Sequence, residues 1–123
     1  MSLRIIDWRK GVVIGFGATG VTLVASGVIP TDCTVTVECN MVARRNAGVS
    51  IGSMASSKLY HRGKNVAGVL SLVGVPTVIQ TTAEITVTVS VDVSAGQIRF
   101  RAVASGTAMN QTEYFSDMRI RIN

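Results

Sequence analysis

The run Ile85-Thr-Val-Thr-Val-Ser-Val-Asp-Val93 constrains the fold more than any other stretch of this chain. Ile85, Val87, Val89, Val91 and Val93 alternate with Thr86, Thr88, Ser90 and Asp92, a period of two that puts apolar side chains on one face and polar ones on the other. That is the signature of a half-buried β-strand. Ser94-Ala95-Gly96-Gln97 then supplies turn-forming residues, and the alternation resumes with Ile98, Phe100 and Ala102 opposed to Arg99 and Arg101. The spacing predicts a β-hairpin. A lone hairpin is marginal in water, so its apolar face requires further strands to cover it.

Those strands can be found on both sides. Cys33-Thr-Val-Thr-Val-Glu-Cys-Asn-Met41 alternates in the same way, and Met118-Arg-Ile-Arg-Ile122 closes the chain with Ile120 and Ile122 inward and Arg119 and Arg121 outward. Tyr114 and Phe115 add bulk just before it. Between Val12 and Ile29 runs an uncharged stretch of membrane-spanning length behind Arg9 and Lys10, like the start of a signal peptide. Its four glycines and scattered Thr and Ser argue against insertion, and the preferred reading is two short strands, Val12 to Phe16 and Val21 to Ala25, around a Gly-Ala-Thr-Gly turn. No membrane insertion is expected. Val, Ile and Thr make up a third of the 123 residues, and β-branched side chains fit strands better than helices. The expected fold is all-β: one antiparallel β-sandwich or jelly-roll domain of about eight short strands over residues 1–123, with 1–10 as a candidate N-terminal arm.

Two motifs suggest chemistry that the surrounding sequence does not support. Gly15-Phe-Gly17-Ala-Thr-Gly20 matches the dinucleotide fingerprint, with Glu38 near the place of a ribose-binding acid. A pyrophosphate site needs a helix starting at the third glycine, whereas Val21 to Gly27 is β-branched and short. Gly48-Val-Ser50-Ile-Gly52 matches the nucleophile elbow of serine hydrolases, which requires a strand-to-helix turn in a large α/β sheet. His61 is the only histidine, and no Cys, His and carboxylate cluster has metal-ligand spacing. No catalytic residue, cofactor or metal is expected. Asn110-Gln-Thr112 is a sequon that chance explains.

Cys33 and Cys39 share one parity on one strand, about 20 Å apart at roughly 3.3 Å per residue, far beyond disulfide reach. They are expected to be free, buried thiols, as in a protein assembled in a reducing cytoplasm. Arg44 and Arg45 are expected in a basic turn, with Val49 to Ile51 starting a new strand and Ser53 to Ser57 in a loop. Tyr60-His61-Arg62-Gly63-Lys64 is the most polar patch, read as a solvated hairpin tip or as part of a ligand or partner loop together with Arg44 and Arg45. Val66 to Ile79 is an apolar run broken by Gly68, Gly74 and Pro76, consistent with strands joined by a bend or bulge.

Charge bears on partners. Charged residues are 15% of the chain, against about 25% in ordinary soluble domains, so much of the surface is expected to be covered by other subunits. The net charge of +5 comes mainly from arginine, with Lys10, Lys58 and Lys64 the only lysines. Trp8, Arg9, Arg99, Arg101, Arg119 and Arg121 are the candidate assembly residues, since a large aromatic anchor and planar guanidinium groups suit interfaces. If the strands carrying the last four arginines were neighbours, acidic groups would have to face them, from Glu84, Asp92, Glu113, Asp117 or another subunit. The basic balance also raises nucleic-acid binding, but the cations are scattered and aromatics are only 5%, too few for a stacking platform.

One resemblance follows from the order of these features. A strand ending in Val42-Ala43-Arg44, a loop of glycine and small residues, His61-Arg62-Gly63, Val73-Gly74, the alternating strand ending Val91-Asp92, then Ile98-Arg99-Phe100, Gly106 and a closing strand together resemble the compact β-modules of tailed-bacteriophage virion proteins. Such modules occur in tail fibres, tail tips and head decoration proteins. The resemblance covers about Val35 to Ile122, with Phe115 where a tryptophan is expected near the closing strand. It implies a non-catalytic structural subunit located in the virion and assembled in the host cytoplasm, commonly a homotrimer, with other virion proteins as partners. A receptor- or carbohydrate-binding module, with a host surface receptor or glycan as partner, is the alternative, and a basic nucleic-acid binder the third.

Overall fold

The computed structural model describes residues 4–106 and 109–123, with side chains from Val13 onward. Eight strands follow one another in the described residues: β1 (Arg4–Phe16), β2 (Val21–Ala25), β3 (Cys33–Ala47), β4 (Met54–Val66), β5 (Val69–Ala83), β6 (Val87–Ser94), β7 (Gln97–Ala104) and β8 (Gln111–Ile122). They form two antiparallel sheets, one of five strands in the order β1-β8-β3-β4-β5 and one of three in the order β2-β7-β6. The two pack face to face, so the fold is the expected β-sandwich.

Alternation decides which face each strand buries. On β3, Val35, Val37, Cys39, Met41 and Ala43 point inward, and on β8 Tyr114, Met118, Ile120 and Ile122 do the same. Across the core they meet Leu23 of β2, Val87 and Val89 of β6, and Ile98, Phe100, Ala102 and Ala104 of β7. Each large apolar side chain buried here stabilises the fold by about 1.5–3 kcal/mol relative to exposure. The β6–β7 hairpin has the predicted turn: Ser94 pairs with Gln97, and Ala95 and Gly96 both take positive φ (52° and 74°), the two-residue geometry whose twist matches the flanking strands. Val91 is only half-buried because β6 is an edge strand, so the fully apolar face read from sequence is covered at one end only.

Several boundaries differ from expectation, each for a traceable reason. The first strand starts at Arg4 rather than Val12, and residues 4–10 pair with β8 from Ile122 to Ser116; this backbone is the edge of the protein's own sheet rather than a free arm. Trp8 and Arg9 fall opposite Met118 and Asp117 in register, and their side chains lie outside the described ones. Residues 49–51 form the loop after β3 instead of a strand, and the stretch from Met54 to Ser57, expected as a loop, opens β4. Small serines there face the sheet without blocking strand pairing. Tyr60 to Lys64 sits mid-strand in β4, not at a hairpin tip; the tip is Ala67-Gly68, again with both φ positive (51° and 86°). Polarity misled the reading because β4 alternates polar residues outward with Ala55, Leu59 and Gly63 inward. Cys39 is buried and Cys33 only half-buried, its thiol donating to the Pro30 carbonyl at 3.0 Å, and the two are not joined in a disulfide.

Candidate functional site

The outer face of the five-stranded sheet changes character along its length. At one end, Phe115 of β8 pairs directly with Val42 of β3, with Ile14 of β1 and Met54 of β4 on the diagonals. All four are outward and 40–45% exposed, and Phe16 beyond them is 54% exposed. Arg44 lies in this zone, exposed, with its guanidinium 3.1 Å from Glu113. Toward the middle, Asn40 donates to Asp117 at 2.9 Å, and Glu38 stands between Arg119 and Tyr60 in register.

The other end is basic and carries a cleft. Thr36 of β3 is flanked in register by Arg121 of β8 and Arg62 of β4, with Thr34 and Lys64 in the next outward row. Beside Arg62 the edge strand departs from regular pairing: Tyr60 pairs with Thr77 and Arg62 with Val73, so Gly74, Val75 and Pro76 stand opposite His61 alone. This bulge needs Gly74, whose φ is 74°, and tolerates Pro76 because β5 is an edge. The Gly74 carbonyl lies 3.1 Å from His61 Nε2. A carbonyl only accepts, so His61 Nε2 is the donor of this bond, and Nδ1 is buried without a partner among the described residues. The bulge walls a cleft of about 490 Å³ lined by Thr36, Tyr60, His61, Arg62, Val73, Gly74, Val75 and Thr77.

Of the residues singled out from the sequence, Tyr60, His61 and Arg62 meet in this cleft, whereas Lys64 borders a separate, shallower one with Asp32, Cys33 and Asn65. Arg45 is not a surface residue. It is 3% exposed, and its guanidinium donates to Thr112 Oγ1 (3.2 Å) and to the carbonyls of Val49 and Ser105 (both 3.0 Å). Asn110 works beside it: its Oδ1 accepts from the Val49 amide at 2.9 Å and its carbonyl from Gly17 at 2.8 Å. Together they tie the loops after β1, β3 and β7 at one end of the sandwich, and at 5% exposure Asn110 is a structural group rather than a surface sequon. Gly48 passes so close that a Cβ there would meet the Asn110 Cα at 2.8 Å.

The four outward arginines do not form one cluster. Arg99 and Arg101 lie on β7 in the three-stranded sheet, Arg119 and Arg121 on β8 in the five-stranded sheet, so the pairs face opposite sides of the sandwich. An acidic partner for the first pair is within the chain: Asp92, opposite Arg99 in register, accepts from Arg99 Nε and Nη2, both at 2.7 Å, with Arg101 Nη1 3.9 Å away. The hydrogen bonds to Asp92 hold the Arg99 guanidinium above its ordinary pKa. Burial, reinforced by Asp117 and Glu38, pushes the Cys39 thiol far above its ordinary value. Burial also raises Tyr114, against the opposing effects of Arg45 and Thr112.

The two motif matches are both turns. Gly15 and Phe16 close β1 and Gly17 to Gly20 joins it to β2, and Gly48 to Gly52 joins β3 to β4 with Ser50 at φ 64°; a strand, not a helix, follows each. No helix among the described residues is long and apolar enough to cross a membrane, and no three His, Cys, Asp or Glu side chains among them are grouped to hold a metal.

Neither a protein-family model nor a curated protein matches the sequence. Among solved structures, the tailspike protein of Acinetobacter baumannii phage AM24 is similar at a TM-score of 0.49 and 12% identity over 98% of this chain. The chain spans 26% of that protein's length.

Proposed function

We propose that this chain is a non-catalytic structural subunit of a bacteriophage particle, and that it assembles with copies of itself through the outer faces and edges of its sheets. The phage assignment follows the order of sequence features from Val35 to Ile122. The observation that carries the assembly reading is the apolar zone of Ile14, Phe16, Val42, Met54 and Phe115, which crosses four adjacent strands on the outward face. Side chains of this size leave water only when another surface covers them, and a chain with 15% charged residues has little polar surface to keep such a face solvated. The edge strand β5 adds to this: no charged residue occurs between Val69 and Ala83, and Val69, Val78 and Ile79 are exposed on either side of the bulge. Free edges are ordinarily guarded by charge, and here only the bulge and Pro76 do so. A homotrimer is the symmetry that the sequence resemblance implies.

Replacing Val42 and Phe115 together by lysine tests the interface. Both side chains are outward, so the fold should survive with unchanged circular dichroism, while sedimentation velocity should show a shift from oligomer to monomer. An unchanged sedimentation coefficient in the double variant would remove this face as the contact.

A further inference from the structure

We propose that the cleft beside the β5 bulge is a binding site for an acidic saccharide, a sugar ring bearing a carboxylate or sulfate. The inference does not depend on assembly. A volume of about 490 Å³ falls within the range of about 300–1,000 Å³ typical of small-molecule clefts. Its polar lining is rich in hydroxyl groups: Thr36, Tyr60 and Thr77 each offer both a donor and an acceptor. That chemistry matches a polyhydroxylated ring better than an apolar ligand.

Charge narrows the class. Arg62 lines the cleft, is exposed, and makes no ion pair among the described residues, whereas Arg44 and Arg99 are each paired with a carboxylate. On the same row Arg121 stands across Thr36, about 10 Å away at the backbone for two inter-strand spacings, and adds positive charge beside the cleft without lining it. The carboxylate placed nearest by register, Glu38, lies one row away between Arg119 and Tyr60. A guanidinium left unpaired at a cleft rim binds a planar carboxylate or a sulfate through two parallel N–H···O bonds. Tyr60 then offers an aromatic face for the C–H side of the ring, with its hydroxyl available to the polar side.

The bulge makes this a formed site instead of an incidental groove. Three residues opposite one, a glycine at positive φ and a carbonyl fastened to a buried histidine hold Gly74 to Pro76 out of regular pairing with β4 and shape the cleft wall. Nucleic acid is the weaker fit, because one aromatic ring gives no platform for successive bases.

Saturation-transfer NMR of the intact protein tests the site with glucuronic acid, N-acetylneuraminic acid and glucose 6-sulfate as probes. Glucose serves as the neutral control, inorganic sulfate as a competing bare anion, and a short oligothymidylate as a competing nucleic acid. Transfer to the ring protons of at least one acidic sugar is expected, with glucose bound more weakly by about tenfold or more, the scale of one charge-assisted bidentate contact. Arg62→Gln should weaken acidic-sugar binding by a similar factor and leave circular dichroism unchanged, and Tyr60→Ala should abolish transfer to the ring. The proposal is overturned if no acidic sugar shows transfer, if Arg62→Gln binds as wild type does, if sulfate displaces the sugar at equal concentration, or if the oligonucleotide binds more tightly than every sugar.

Discussion

Replacing Arg45 by methionine should be among the most damaging single changes in the domain, although the residue looks like a surface cation in the sequence. Methionine fills similar space but donates nothing, so Thr112 Oγ1 and the carbonyls of Val49 and Ser105 lose their donor. Thr112 Oγ1 is buried and the two carbonyls are part-buried, so each loss is taken at the net worth of an ordinary hydrogen bond, about 0.5–1.5 kcal/mol. About 1 kcal/mol for each of three gives a loss of about 3 kcal/mol. For 123 residues the unfolding entropy is about 0.26 kcal/mol per kelvin, so the melting temperature should fall by about 12 °C. Urea unfolding followed by far-ultraviolet circular dichroism, at fixed protein concentration, measures the first figure and a thermal scan the second. Arg45→Lys should recover less than half, because one ammonium cannot reach three acceptors that diverge toward separate loops. A loss below about 1 kcal/mol in Arg45→Met would show that water replaces the guanidinium at no cost, and that the clamp is incidental.

Ala95→Asn should stabilise the subunit by about 0.5–1 kcal/mol, because Ala95 sits at φ 52° in a turn whose geometry asparagine accepts with less strain; an unchanged urea midpoint would contradict it. Stability should decline as pH rises above about 8.5, the ordinary thiol value: Cys39 and Tyr114 both have raised folded pKa values, so the unfolded chain releases those protons first, and a flat profile between pH 8 and 10.5 would refute the burial argument. Iodoacetamide should label Cys33 in the native protein and Cys39 only after unfolding; equal labelling rates would count against the assigned core. Asp92→Asn should lower the melting temperature at low ionic strength, and the difference should shrink near 1 M salt, where the Debye length is about 3 Å; a salt-independent difference would mean that packing, not charge, is lost.

The alternation from Ile85 to Ala102 carried the fold class, because a period of two with one apolar face has few solutions besides a packed antiparallel sheet. The turn at Ala95-Gly96 and the whole of β2 were legible for the same reason, since glycine and β-branched residues mark strand ends locally. Sheet membership was not. Whether β7 and β8 are neighbours depends on contacts between residues distant in the chain, and two identical Arg-x-Arg patterns do not reveal that their strands lie in different sheets. The middle of the chain misled for another reason. On β4, the outward face of a strand in the middle of a sheet and the tip of a hairpin have the same composition, and only pairing with β3 on one side and β5 on the other distinguishes them. Within the candidate site, Tyr60, His61 and Arg62 stood out as polar side chains, and Gly74 with Pro76 marked a bend. That the bend lies opposite His61 was not legible, because the register of β4 and β5 follows from the turn at Ala67-Gly68, which gave no signal stronger than its single glycine. Arg45 was misread because nothing in Arg44-Arg45 says which of the pair faces inward until the strand's parity is extended through Ala43.

Other copies of the chain are expected to cover the apolar zone of Ile14, Phe16, Val42, Met54 and Phe115 on the five-stranded sheet. Light-scattering mass across a dilution series from about 50 to 1 µM tests it most directly, since an assembly held by a moderate interface reports its own dissociation. A mass that is a multiple of 13.0 kDa is expected at the upper end, threefold if the symmetry implied by the sequence resemblance holds. A mass of 13.0 kDa throughout the series would contradict it.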